Sequence, residues 1–154
     1  MKINQLNQKP EIDHHLKLKE LYLQFEILLS EIRKKEVPDS ISLSINKDVE
    51  ELNSIASSED DFRKLVKKKQ TGIIKLLEKE LKLVPKNYYR KLWLALGMSA
   101  FGLPLGVAFG AIIGNMAFLG IGLLFGVAIG GAVGRGLDKK AFEEGRQLDL
   151  EIKY

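Results

Sequence analysis

Residues 92–134 read LWLALGMSAFGLPLGVAFGAIIGNMAFLGIGLLFGVAIGGAVG, and not one of these side chains carries a charge. Asp, Glu, Lys and Arg make up 29% of the 154 residues, and all of them lie outside this block. The mean hydropathy near zero therefore averages two regimes suited to two solvents. As one α-helix the block would run roughly 65 Å at about 1.5 Å per residue, twice the ~30 Å of a bilayer's hydrocarbon, so it has to fold back. Its strong polar interruption is Asn115, between Gly114 and Met116, which leaves two spans of about 92–113 and 117–134. Each is long enough to cross a membrane as a helix. A soluble core hairpin is the competing reading, but a domain of this size has no use for so long an uncharged run.

The flanks orient the hairpin. Lys86, Arg90 and Lys91 precede the first span, Arg135, Lys139 and Lys140 follow the second, and the connecting turn is uncharged, so the positive-inside tendency places both termini in the cytosol. Tyr88, Tyr89 and Trp93 cluster at the first entry, where amphipathic rings prefer the headgroup layer. With the six basic residues they form the expected lipid-headgroup belt. Pro85 is expected in the first turn of the entering helix, and Pro104, inside the span, removes a backbone hydrogen bond and should bend the helix unless a neighbour compensates.

Glycine recurs every four residues: Gly102, Gly106, Gly110 and Gly114 on the first span, Gly122, Gly126, Gly130 and Gly134 on the second. Apolar helices in lipid gain little from burying one another, so close backbone approach supplies the contact, and glycine removes the side chain that prevents it. These eight positions are the predicted helix-packing site. The register leaves open whether the grooves mate within a chain or between chains. Ala95 with Ser99, and Ala128 with Ala132, offer a further close-packing surface, and on that ground a homo-oligomer is expected.

Taken together, VPKNYYRKLW, GLPLGVAFGAIIGN, GIGLLFGVAIGGAVGRG and the DKKAFEEGRQLD tail, from about Pro85 to Gln147, resemble the small glycine-zipper two-span membrane proteins of bacteria that carry a soluble helical segment before the hairpin. The resemblance implies a topology in the inner membrane and no activity. Rotary ATPase ring subunits are also glycine-rich hairpins, but they need a carboxylate in the second span, and none lies between Leu92 and Gly134. A magnesium-channel family has a Gly-Met-Asn turn between two C-terminal spans. Here the order is Gly114-Asn115-Met116, and Asn115 reads as a polar turn residue.

Ahead of the hairpin, residues 1–85 are expected to form a cytosolic helical segment. Leu18, Leu21, Phe25, Leu28 and Ile32 predict an amphipathic helix over 11–36, ended by Val37-Pro38. Ile41, Leu43 and Ile45 alternate with Ser and suggest a short extended piece, followed by a helix over 46–56 capped by Asn46. A third helix is expected over 58–84, with Glu59, Asp60 and Asp61 complementing its N-terminus. On it Lys64, Lys68, Lys75, Lys79 and Lys82 share an arc of about 60° at 100° per residue. Phe62, Leu65, Val66, Ile73, Leu76, Leu77, Leu83 and Val84 take the other side, and Lys69 and Glu80 violate that apolar face. The pattern allows packing on the first helix or lying on the inner leaflet. The basic excess over 59–91 suits anionic lipid better than nucleic acid, since no aromatic interleaving accompanies it. Residues 137–154 read as a cytosolic amphipathic tail after a hairpin region of 86–136.

The chain has no Cys, and its two histidines, His14 and His15, are adjacent, about 100° apart on a helix, and poor joint metal ligands. Neither a catalytic constellation, a metal site, a cofactor loop nor a nucleic-acid motif is found, and no enzyme is expected. The sequence thus predicts an all-α protein, a cytosolic helical segment followed by a C-terminal two-helix hairpin. Its expected role is an oligomerising membrane scaffold or anchor, with the bilayer and a cytosolic protein as partners. The alternative is a pore-forming or permeabilising effector built from the same hairpin.

Overall fold

The computed structural model describes residues 2–9, 12, 14–55 and 59–153. It is all-α apart from one two-residue strand pair, and it divides into two compact units, Met1–Val84 with Leu148–Tyr154, and Pro85–Gln147. The strands, β1 (Val84–Pro85) and β2 (Gln147–Leu148), pair with each other, and the division between the units falls within each of them.

The first unit is built on three helices. α1 spans Leu16–Arg33 and buries Leu18, Tyr22, Phe25, Leu28, Leu29 and Ile32 along one stripe. Of the residues expected on that stripe, Leu21 is only half-buried. The expected start at residue 11 lies outside the described residues. α2 spans Asp39–Ser54, which corrects the expected extended piece at 41–45 and the late start at Asn46. Ile41, Ile45, Val49 and Leu52 recur at four-, four- and three-residue steps and are all buried, whereas Leu43, the residue that suggested alternation, stands exposed. The helical stripe wins because it reaches the core over the whole segment, while a three-residue alternation has no neighbouring strand to pair with.

α3 spans Glu59–Leu81, and the expected start at residue 58 lies outside the described residues. The helix stops before the expected Val84 because Lys82 turns left-handed at φ 55°, where the Lys82 N–H donates to the Glu78 carbonyl and the Leu83 N–H to the Leu77 carbonyl. That closure satisfies carbonyls the last turn would otherwise leave open. Phe62, Val66, Ile73 and Leu77 are buried, Leu65 and Leu76 half-buried, and α3 packs on both α1 and α2. With its apolar face covered in this way, α3 takes the bundle arrangement of the two the sequence allowed. The lysines at 64, 68, 75, 79 and 82 remain exposed on the outer side. Lys69 breaks the apolar pattern for a reason visible on α2: its Nζ sits 2.7 Å from Asp48 Oδ1 and 2.6 Å from Glu51 Oε2. Burial disfavours the Lys69 ammonium, but the two carboxylates more than offset this and move its pKa upward.

Residues after the hairpin belong to the same core. Leu148, Leu150 and Ile152 are buried in alternation along an extended run, so the expected amphipathic tail over 137–154 is two things. Its first part continues the preceding helix to Glu143, and its last part completes the first unit. The Asp149 N–H donates to Glu31 Oε2 at 3.0 Å, and the Lys153 N–H to Gln24 Oε1 at 2.8 Å. The amide bond from Asp149 helps hold the Glu31 carboxyl below its ordinary pKa, after the larger effect of the Lys34 ammonium.

Candidate membrane-spanning hairpin

The second unit is two antiparallel helices. The first runs from Tyr88 to Ile113 as α4 (Tyr88–Gly97), a wider π-turn (Met98–Gly102) and α5 (Leu103–Ile113). After the turn, a short 3₁₀ segment (Met116–Phe118) leads into α6 (Leu119–Glu143). Both helices are long and apolar enough to cross a membrane. The first begins at Tyr88, ahead of the expected 92, and ends at 113 as expected, while the second runs on to Glu143, past the expected 134, because a helix continues past the apolar run wherever its next backbone bonds can form. Pro85 is part of β1, three residues ahead of the helix, and does not occupy the first turn.

The interior of this hairpin is made of glycine. Among its apolar residues between 92 and 134, those buried are Gly97, Gly102, Gly106 and Gly110 on one helix and Gly122, Gly126, Gly130 and Gly134 on the other. A Cβ on Gly106 would lie 2.6 Å from the Leu119 carbonyl oxygen, one on Gly126 2.8 Å from the Gly102 Cα, and one on Gly134 2.6 Å from the Arg90 Cα. Main chain faces main chain at each of these points, so a side chain has nowhere to move. Gly110 is opposite Met116.

Gly114, expected on the packing face, is instead the left-handed C-cap of α5 at φ 74°, and a Cβ there would meet nothing. A β-carbon would be strained at that φ, which is why glycine stands there. Asn115 follows as the cap of the next segment, its Oδ1 accepting from Ala117 N at 2.9 Å, so it is a turn residue as expected. Gly97, not expected on the face, is buried against Gly126 and Gly130. It lies five residues before Gly102 and so breaks the register of four on an α-helix. The π-turn between them supplies the extra residue, with the Leu103 N–H donating to the Met98 carbonyl, and returns Gly97 to the face. Pro104, which cannot donate a backbone hydrogen bond, sits just beyond this turn, and the expected disturbance of the helix takes the form of a wider turn.

Asp138 closes the other end, and sequence reading overlooked it. The side chain is buried, and its two oxygens accept from the backbone of α4: Oδ1 from Tyr89 N at 3.0 Å and Oδ2 from Arg90 N at 2.9 Å. The first N–H groups of a helix have no partner within it, and a carboxylate both satisfies them and lies at the positive end of the helix dipole. A signal was present: Asp138 extends the series Gly122, Gly126, Gly130, Gly134 by the same four residues. The antiparallel arrangement also gathers the proposed headgroup residues at one end of the hairpin. Lys86, Arg90, Lys91, Arg135, Lys139 and Lys140 are exposed there, Tyr88, Tyr89 and Trp93 are half-buried, and the two tyrosine rings meet edge to face with centroids 5.3 Å apart. Lys139 and Lys140 lie 3.7 and 3.9 Å from Glu143 and Glu144. Ala95, Ser99, Ala128 and Ala132 are exposed, and the Ser99 hydroxyl donates back to the Ala95 carbonyl at 3.0 Å.

Among the described residues, no three His, Cys, Asp or Glu side chains are placed to share a metal ion. His14 and His15 are exposed ahead of α1. Comparison with family models, with curated proteins and with solved structures finds no match to this chain.

Proposed function

We propose that this protein is an integral membrane scaffold or anchor, in which a glycine-packed hairpin spans the bilayer twice and holds the helical first unit on the cytosolic side of a bacterial inner membrane. One observation carries the reading: the hairpin is inverted relative to a soluble core. Its small residues are inside, and Phe101, Leu105, Val107, Phe109, Leu124 and Phe125 are exposed. Only 22% and 17% of the most apolar stretch of each helix is buried, whereas a helix from a water-soluble core hides that surface. Lipid is the solvent that makes this arrangement favourable, and in lipid the close glycine contacts supply the packing that the hydrophobic effect does not.

The basic residues at one end mark the cytosolic side, and anionic headgroups are their natural partners. Because the glycine faces are used within one chain, self-association falls to the exposed small residues Ala95, Ser99, Ala128 and Ala132. A pore has less support, since the outward surfaces of the spans are almost wholly apolar and offer no lining for ions. The test is membrane topology. The protein should stay in the membrane pellet after alkaline carbonate, a reporter fused at Asn115 should lie outside, and one fused after Lys153 should lie in the cytosol. Release by carbonate, or a cytosolic Asn115 reporter, overturns the reading.

A further inference from the structure

Residues 2–9 belong to the first unit but to no helix or strand, and it is their main chain that the helices hold. On α2, Asn46 accepts from Asn4 N at 2.8 Å and donates to the Lys2 carbonyl at 3.0 Å. One repeat further on, Asn53 accepts from Asn7 N at 2.8 Å and donates to the Gln5 carbonyl at 3.1 Å. On α1, Glu26 accepts from Leu6 N at 3.1 Å, Arg33 donates to the Ile3 and Asn4 carbonyls at 3.1 and 2.7 Å, and the Tyr22 hydroxyl donates to the Asn7 carbonyl at 2.8 Å.

The spacing has a physical basis. Asn46 and Asn53 are two helical turns apart, about 10.5 Å at 1.5 Å per residue, and the three residues from Asn4 to Asn7 cover about 10 Å in extended form. The two ladders therefore stay in register, and each asparagine meets one N–H and one carbonyl of the segment. Asn46 is 3% exposed and Tyr22 7%, so these are fixed fittings of the bundle and not mobile surface side chains. Side-chain recognition is confined to few positions. Ile3 is buried, and Lys9 donates to the Ile55 carbonyl at 2.7 Å while lying 4.6 Å from the centre of the Phe62 ring.

A segment serving only as core would be held through its side chains. Here the main chain is read by bidentate amides, a carboxylate, a guanidinium and a phenol, which is how an extended peptide is bound as a ligand. We infer that the groove between α1 and α2 is a peptide-binding site, that residues 2–9 are its ligand, and that the same segment of a second copy of this chain takes the place when two copies share a membrane. The second copy is the occupant because its segment repeats every contact already made in the groove, the condition under which exchange between protomers costs least. The groove is read from the first unit alone, and exchange between copies in one membrane rests on the membrane reading above but not on the glycine contacts.

The chain has no cysteine, so single cysteines can be placed without background. Asn4 and Glu50 are exposed partners across the groove, with Asn4 Nδ2 3.2 Å from Glu50 Oε1. Asn4→Cys in a copy with one tag and Glu50→Cys in a copy with another are co-expressed in full-length form and treated in membranes with a short bis-maleimide. Doubly tagged dimer is expected, several-fold above that from Asn4→Cys paired with Glu36→Cys, an exposed residue outside the hydrogen bonds named above. Excess synthetic peptide of residues 2–9 should reduce it, as should Asn53→Ala. The double variant Asn4→Cys/Glu50→Cys in one chain should link internally. Internal linking with no mixed dimer above the Glu36 control overturns exchange and leaves a permanent intramolecular strap. Absence of internal linking overturns the groove itself.

Discussion

At Asp138 a single side chain joins the ends of two helices. Its carboxylate accepts from the N–H groups of Tyr89 and Arg90, so Asp138→Ala removes both of these acceptors and the negative charge from the positive end of α4. The loss is expected to be about 1–2 kcal/mol of hairpin stability, the usual cost of removing a helix cap. Asp138→Asn, which keeps one acceptor, should fall between. Unfolding of the purified protein in mixed detergent checks both, and an Ala variant as stable as the parent would show that the bonds contribute nothing. Glu31 poses a residue-scale question in the other unit. Its pKa is lowered by the Lys34 ammonium and then by the Asp149 N–H. A carboxyl with a depressed folded pKa contributes stability above its unfolded value of about 4.3 and loses it as pH falls through the folded value. The thermal midpoint should therefore decline on acidification below about pH 4.3, and Glu31→Gln should lower it at neutral pH and flatten part of the acid limb. Parallel acid limbs for the two proteins would remove Glu31 from the account.

At the scale of the element, the π-turn decides whether the first span has one packing face or two. The step from Gly97 to Gly102 is five residues and the later steps are four, so an unbroken α-helix would rotate Gly97 about 100° away. Deleting Ser99 shortens the first step to four and turns the segment into a regular helix with all its glycines still on one face. Deleting Val107 shortens the step from Gly106 to Gly110 from four residues to three and has no turn to absorb the change. A cysteine pair at Leu94 and Gly131, where a Cβ on Gly131 would lie 3.6 Å from Leu94 Cδ2, reports the outcome. The pair should still crosslink after Ser99 is deleted and crosslink poorly after Val107 is deleted. Equal yields would mean that the glycine register does not set the packing. The π-turn was not visible in the sequence as such. Pro104 announced a disturbance nearby, but whether it became a kink, a break or a wider turn depended on the backbone of the facing helix.

On the scale of the whole molecule, the chain enters the second unit at one short strand and returns by its partner, then finishes the first core. Leu148 is fully buried there, with Leu150 and Ile152 beside it in the same extended run. Leu148→Ala is expected to destabilise the first unit by about 2–4 kcal/mol, the range for a leucine cavity in a packed core. The same substitution at exposed Leu43 should cost far less. A measured loss at position 148 no greater than at 43 would mean that the closing segment is a loosely attached tail. The amphipathic pattern of that segment was legible, since its apolar residues alternate. Its destination was not, because a six-residue alternation fits a membrane surface, a partner or a distant core equally well.

The sequence by itself determined the helical class, the two long apolar C-terminal helices and the turn at Asn115. These follow from local quantities: charge, the 3.6-residue period, and the length of helix an apolar run can form. Tertiary structure alone decided that α2 begins at Asp39, that Gly97 belongs on the face and Gly114 does not, that Asp138 caps α4, and that the apolar side of α3 is covered by its neighbours. Except at Gly114, a left-handed cap with nothing opposite it, each of those depends on what a second element, remote in sequence, places opposite the residue. Lys69 is the clearest case. Read along its own helix it is an error in an apolar stripe, and only Asp48 and Glu51 on α2, close enough to pair with its ammonium, turn it into part of the packing.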